Sequence, residues 1–74
     1  MAKPKYFYVI ATGQDCDGYN NGHIDVFIRH KKAVKYARTS NEGSDGLQYG
    51  IVVKNRALAY CNEYNRPLPE YYRY

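Results

Sequence analysis

Lysine and arginine account for five of the ten residues from 29 to 38, and no acidic residue interrupts this segment. A cluster of lysine and arginine side chains can bind phosphate groups or an acidic protein surface. On a helix, Lys31, Lys35 and Arg38 share one face because residues three and four apart are neighbours, and Lys32 flanks them. We therefore predict a binding surface at these four residues, with a solvated helix face that binds nothing as the alternative.

Tyrosine is the second residue type with an unusual distribution, since ten of the 74 residues are tyrosine and none is tryptophan. Tyr6 and Tyr8 have the same parity on a predicted strand, so one sheet face would present both phenols to bases or to a protein. Tyr71 and Tyr72 follow two prolines near the end of the chain. We predict that these four tyrosines are anchors for a partner, unless the C-terminal pair covers the core.

The residues that could carry catalysis or hold a metal lack the necessary spacing. Four soft metal ligands form neither a C-x-x-C nor an H-x-x-x-H pair, namely Cys16, His23, His30 and Cys61. Residues 17–28 match part of a calcium-binding EF-hand loop, but isoleucine replaces the bidentate glutamate, which predicts an ordinary turn. The chain has no phosphate-binding glycine motif, and its two serines flank a flexible turn. We expect no enzyme activity, no metal and no cofactor.

The chain has 74 residues and a formal net charge of +4, which suits a single small domain over residues 1–74. No apolar stretch approaches the roughly 20 residues of a membrane-spanning helix, so we expect no membrane partner. The N-terminal residues do not match a signal peptide, which predicts a cytoplasmic location with reduced thiols. Two cysteines nevertheless permit one long-range disulfide.

Aromatic and β-branched residues predict a strand at 5–12, followed by a loop at 13–22 that is rich in glycine and asparagine. Apolar residues alternate over 23–29, which predicts a second strand, and helical spacing predicts a helix over 30–40. A helix that begins with Asp25 as its N-cap is the alternative for this segment. A polar turn at 41–46 and a strand at 47–53 follow.

The segment from 56 to 65 is compatible with two structures. Leu58, Tyr60 and Tyr64 alternate with smaller residues, which predicts a strand returning from a tight turn at 54–55. A short helix with one buried side is the alternative. Prolines then predict an extended tail over 66–74. The predicted fold is α+β, with the element order ββαββ. A small antiparallel sheet carries one helix packed on one of its faces. If the segment 56–65 is helical, it adds a second short helix to this fold.

The order of these elements resembles that of the small phage-encoded anti-CRISPR proteins. The shared pattern is a strand at 6–11, a short helix with small apolar residues at 33–37 and a hairpin at 50–61. The resemblance implies a non-catalytic inhibitor that contacts a nucleic-acid-processing complex in the cytoplasm of the host cell, and it assigns no role to any single residue. Direct binding of DNA or RNA by the basic helix and the tyrosines is the alternative function. The tyrosines also permit a homodimer.

Overall fold

The computed structural model describes residues 6–69 of the chain. Within this range the elements follow in the order β1 Phe7–Gly13, β2 Ile24–Phe27, α1 His30–Glu42, β3 Leu47–Val52 and α2 Lys54–Glu63. The strands form one antiparallel sheet in the order β2-β1-β3. The predicted α+β class is therefore confirmed. The helix that was predicted over 30–40 begins at residue 30, as expected, and ends at Glu42.

β1 is the central strand of the sheet and carries apolar side chains on both of its faces. Tyr8 lies opposite Val26 of β2 and Val52 of β3, which places these three side chains on one face. Val9 lies opposite Ile51 and points to the other face. The four central residues of β1 are all buried. Burial on both faces requires a covering layer on each side of the sheet.

α1 covers the face of the sheet on which Val9 lies. Ala33 and Ala37, which are four residues apart on the helix, are buried in one cluster with Val9 and Phe27. Alanine at both positions lets the helix approach the strands closely, and partly buried aromatic side chains surround the contact. The opposite side of α1 faces solvent.

α2 covers the other face, and its presence corrects the prediction for residues 56–65. Ala57 is buried in a cluster with Tyr8 and Val26, and Cys61 is buried one helical turn later. The predicted fourth strand is therefore wrong, the alternative helix is confirmed, and the element order is ββαβα. The alternating pattern was misleading because Leu58, one of the residues that defined it, is 40% exposed, whereas Ala57 and Cys61 at helical spacing are buried.

The second strand is shorter than predicted, because it ends at Phe27 and the chain bends before α1. Asp25 lies within β2, opposite Val9, so the alternative that made it a helix N-cap is wrong. The N-cap of α1 is Arg29, whose side chain makes no capping hydrogen bond.

The predicted tail is described only over residues 66–69, which form neither a helix nor a strand. Leu68 packs against the cluster that α2 covers. The remainder of the predicted tail, residues 70–74, lies outside the described residues. In the described part of the chain, neither helix has the length and apolar composition needed to cross a membrane.

Candidate functional site

The solvent-facing side of α1 carries the cations that the sequence singled out, since Lys31, Lys32, Lys35 and Arg38 are all exposed. Three of them line one open depression of about 390 Å³ together with two further residues of the helix. The lining residues are His30, Lys31, Val34, Lys35 and Arg38. The structure thus brings Lys31, Lys35 and Arg38 together, as helical spacing predicts, and leaves Lys32 outside the depression.

Two residues of this depression were missed by the sequence analysis. Val34 provides an apolar floor between the cations, and His30 lies at the end nearest the start of the helix. The His30 ring also contacts the Phe7 ring, with centroids 5.0 Å apart, which ties this end of the depression to β1. Both residues follow from the same three- and four-residue spacing as the lysines, so the helical periodicity could have identified them.

The charges of α1 oppose the helix dipole. A helix N-terminus is stabilised by acidic side chains and a C-terminus by basic ones. The first turn of α1 holds no acidic residue but contains Lys31 and Lys32, and the last turn holds no basic residue but contains Glu42. Each such charge costs about 0.3–1 kcal/mol of helix stability. The stability of the helix therefore does not explain why cations occupy these positions.

No carboxylate compensates these cations among residues 6–69. The ion pair found in this part of the chain joins His23 to Asp25, and none of the cations of α1 has a carboxylate within the 4.0 Å ion-pair distance. Lys31 and Lys35 are four residues apart, where like charges repel by about 0.2–0.5 kcal/mol. The result is an open cationic face that is electrostatically suited to an anion.

A polar cluster holds the buried side of α1 against the sheet. The Tyr36 hydroxyl lies 2.7 Å from Nε2 of His23, and the same nitrogen lies 2.7 Å from Oδ2 of Asp25 in β2. The Tyr36 ring contacts the Phe27 ring, with centroids 5.2 Å apart. The rings of His23 and of Tyr49 in β3 pack edge to face, with their centroids 5.9 Å apart. Residues from three elements and one loop thereby fix the rotation of α1 about its axis.

The last turn of α1 is joined to the outer edge of β3 by one side chain. The Asn41 side-chain amide donates to the Tyr49 carbonyl at 3.1 Å, and the Tyr49 backbone N–H donates to Asn41 Oδ1 at 2.6 Å. Ser44 also donates its hydroxyl proton to the Leu47 carbonyl at 2.7 Å. These contacts occupy backbone groups that an edge strand would otherwise offer to another chain.

Replacing Asn41 with alanine is expected to lower the free energy of unfolding by about 1–2 kcal/mol, measured by urea denaturation. Two hydrogen bonds are lost, but the exposed Tyr49 backbone groups regain water, which keeps the loss small. Asn41→Asp retains the acceptor and loses the donor, so its loss should be intermediate. Asn62→Ala removes an exposed asparagine of α2 as the matched control. Equal losses in Asn41→Ala and Asn62→Ala would contradict the role of this contact.

The tyrosines that were predicted to anchor a partner differ in their exposure to solvent. Tyr8 is only 4% exposed because α2 covers its side of the sheet, so the expectation that it presents its phenol to a partner is wrong. Burial also raises the pKa of Tyr8, with further contributions from Tyr6 and Cys61. Tyr6 is 38% exposed and lies just before β1. Tyr71 and Tyr72 lie outside the described residues.

The loop between β1 and β2 uses its polar side chains to build its own turns. Asp15 Oδ1 accepts hydrogen bonds from the backbone N–H groups of Asp17 and Tyr19, each at 2.9 Å. The Asn20 side chain donates to the carbonyls of Ala11 and Gly13 at 3.0 and 2.9 Å. Within residues 6–69, no three histidine, cysteine or acidic side chains are grouped to hold a metal ion.

The two cysteines differ in solvent exposure and form no disulfide with each other. Cys16 is exposed in the loop, whereas Cys61 is buried on α2. Burial raises the pKa of the Cys61 thiol, which keeps it protonated and unreactive near neutral pH. The long-range disulfide that the sequence permitted is therefore absent, and both thiols are free.

No protein-family model, curated protein or solved structure shows significant similarity to this chain. The candidate site therefore rests on the geometry and charge of α1.

Proposed function

We propose that this chain is a small, non-enzymatic binding protein that docks the cationic face of α1 on an anionic surface of a nucleic-acid-processing complex and inhibits it. The observation that carries this proposal is the uncompensated charge of Lys31, Lys35 and Arg38 around one depression. Positions that break the rules of helix stability without a structural benefit are expected at functional sites.

The number of cations favours a protein surface over bare nucleic acid as the main partner. Three side chains in one depression can neutralise about three phosphates, and that gives only weak, salt-sensitive affinity for DNA. On a protein partner, the same cations set orientation and association rate, while the apolar floor at Val34 and the surrounding surface add buried area. An acidic patch on a protein subunit of such a complex, outside its cationic nucleic-acid channel, fits both requirements.

The finer proposal is an anti-CRISPR-type inhibitor encoded by a phage or mobile element and acting in the cytoplasm of the host cell. It is supported by the resemblance in element order, of which the first strand and the helix are present, and by a cationic face that suits an anionic surface. The second helix, α2, replaces the hairpin on which part of that resemblance rested. The basic face of α1 is therefore the stronger support.

Direct binding of DNA or RNA is the second candidate function, because Lys31, Lys35 and Arg38 can also contact phosphates. A salt titration separates the two candidates. If about three phosphates are contacted, affinity for duplex DNA should fall about 40-fold between about 50 and 200 mM salt. Absence of oligonucleotide binding at low salt would eliminate direct nucleic-acid recognition.

The test of the main proposal compares two variants with the same change in net charge. Lys35→Glu/Arg38→Glu reverses two cations in the depression, whereas Lys54→Glu/Arg66→Glu reverses two exposed cations of α2 and the segment after it. Each protein is titrated into target-cleavage assays with purified CRISPR effector complexes of several types. The wild type and the α2 variant should inhibit at least one complex, and the α1 variant should inhibit it about tenfold less or not at all.

Two results would count against this proposal. If no complex is inhibited by the wild type, the anti-CRISPR assignment fails. If the two variants lose inhibition equally, the effect depends on net charge and not on the α1 face. Circular dichroism of both variants is the control for folding, since their substituted residues are exposed and should leave the helices intact.

A further inference from the structure

A second depression, of about 210 Å³, lies on the face of the sheet opposite α1. It is centred on β3 at Gly50 and borders the first turn of α2. The lining residues are Ile10, Thr12, Gln48, Tyr49, Gly50, Val52 and Arg56. α2 packs on Tyr8 and Val26, and Thr12 and Gly50 beside it are exposed, whereas Ile10 is only 2% exposed.

Nothing in the part of the chain that the structure describes requires glycine at position 50. Its φ angle is not positive, and a Cβ placed on it would meet nothing within 4 Å. Glycine inside a strand is unfavourable, and β-branched residues are preferred there. A glycine that neither the backbone nor its neighbours require is typical of a position that a ligand or another chain approaches closely.

The lining of the depression defines the chemistry of its occupant. Ile10 is buried beneath it and Val52 is partly buried beside it, so the floor is apolar. Arg56 lies at the rim, exposed, and has no carboxylate within ion-pair distance among residues 6–69. The Thr12 hydroxyl already donates to the Gln48 carbonyl at 3.2 Å. Among the described lining residues, Arg56 is therefore the charged group that can recognise a ligand, and its guanidinium requires an anion.

We infer that the Gly50 depression receives a glutamate side chain of a partner protein. Its methylene groups would lie over Gly50 between Ile10 and Val52, and its carboxylate would accept hydrogen bonds from Arg56. The volume of about 210 Å³ is smaller than the roughly 300–1,000 Å³ of sites for cofactor-sized molecules, but it suits one side chain. This site is separate from the α1 face and does not depend on the proposed function of that face.

The experiment follows backbone amide shifts of ¹⁵N-labelled protein by NMR during titration with acetyl-glutamyl-methylamide. The neutral acetyl-glutaminyl-methylamide and inorganic phosphate are the comparison ligands. Resonances of Gln48, Gly50 and Arg56 should shift with the glutamate compound and about tenfold or more weakly with the other two, because charge and methylene groups are both required.

Three variants make the result specific. Gly50→Val fills the depression and should abolish the shifts while raising the melting temperature, since a β-branched residue replaces glycine in open space. Arg56→Gln should also abolish the shifts and leave the fold intact. Lys35→Gln, on the opposite side of the sheet, should leave them unchanged.

Equal responses to the glutamate and glutamine compounds, or to phosphate, would overturn the inference. Shifts that persist in Gly50→Val would overturn it as well. A concentration-dependent dimer that Gly50→Val abolishes in sedimentation would also contradict it, because the depression would then hold a side chain of a second copy.

Discussion

Replacing Gly22 with alanine is expected to lower the free energy of unfolding by about 3 kcal/mol or more. Gly22 has a φ of +71°, which costs an L-residue about 1–2 kcal/mol. A Cβ at this position would lie 2.6 Å from Cβ of Tyr64, a distance that real Cβ atoms essentially never show. Relieving this overlap moves the end of α2 away from the loop before β2, and such overpacking costs a further 1–3 kcal/mol or so.

This loss is large compared with the stability of the whole domain. A chain of 74 residues is expected to be stable by about 4–11 kcal/mol. Gly22→Ala therefore removes a substantial fraction of the total and should lower the urea midpoint clearly, with the slope of the transition unchanged. Chemical denaturation followed by circular dichroism is the measurement.

A second glycine of the same loop provides the matched control. Gly18 has a φ of +81°, but a Cβ there would meet nothing within 4 Å. Gly18→Ala should therefore lose only the backbone contribution, about 1–2 kcal/mol. Tyr64→Gly removes the opposing Cβ. In a double-mutant cycle, Gly22→Ala/Tyr64→Gly should therefore lose less stability than the sum of the losses of the two single variants. If Gly18→Ala and Gly22→Ala lose equal stability, the contact with Tyr64 is not responsible.

The protein is expected to lose stability as the pH rises from 10 to 12, because of Tyr60. Burial against β1 raises the pKa of Tyr60 to about 12 from its ordinary value of 10.0, and the nearby Tyr64 adds to the effect. Below pH 10 the phenol is protonated in both the folded and the unfolded chain. Between pH 10 and 12 the unfolded chain releases the proton first, so the free energy of unfolding falls by about 2–3 kcal/mol.

The measurement compares urea midpoints of the wild type and Tyr60→Phe across pH 8 to 11.5 or so. The phenylalanine variant loses the hydrogen bond from Tyr60 to the Ala11 carbonyl, which costs about 1 kcal/mol at pH 8. That carbonyl retains the Asn20 amide as a donor, which limits the loss. Above pH 10 the variant should decline less than the wild type. Parallel profiles would contradict the assignment, and Tyr19→Phe, which removes the hydroxyl of an exposed tyrosine, is the control.

Local sequence patterns predicted the structure correctly where a single pattern dominated a segment. The apolar, β-branched run at 5–12 predicted β1, and helical spacing after residue 30 predicted α1 together with the shared face of Lys31, Lys35 and Arg38. Both predictions depend only on residues within a few positions of one another, and backbone geometry relates such residues directly.

The prediction was wrong where two periodicities were present in the same segment. Residues 56–65 contain alternating apolar side chains and also Ala57 and Cys61 at helical spacing. The helix forms because the uncovered face of the sheet, with Tyr8 at its centre, has to be buried. The same packing removes Tyr8 from the predicted binding surface. Local propensity could not decide this segment, because the deciding contact joins residues about fifty positions apart.

The sequence by itself determined an α+β domain with a cationic helix face, since composition and spacing along the chain carry that information. Only the tertiary structure decided which sheet face each helix covers, where the Gly50 depression lies and which side chains hold α1 in place. Arg56 lines the Gly50 depression together with Ile10 and Thr12, and Asn41 forms a hydrogen bond with the Tyr49 backbone. These groups come together through strand order and helix docking, which are set by burial of apolar surface over the whole chain and not by any local pattern.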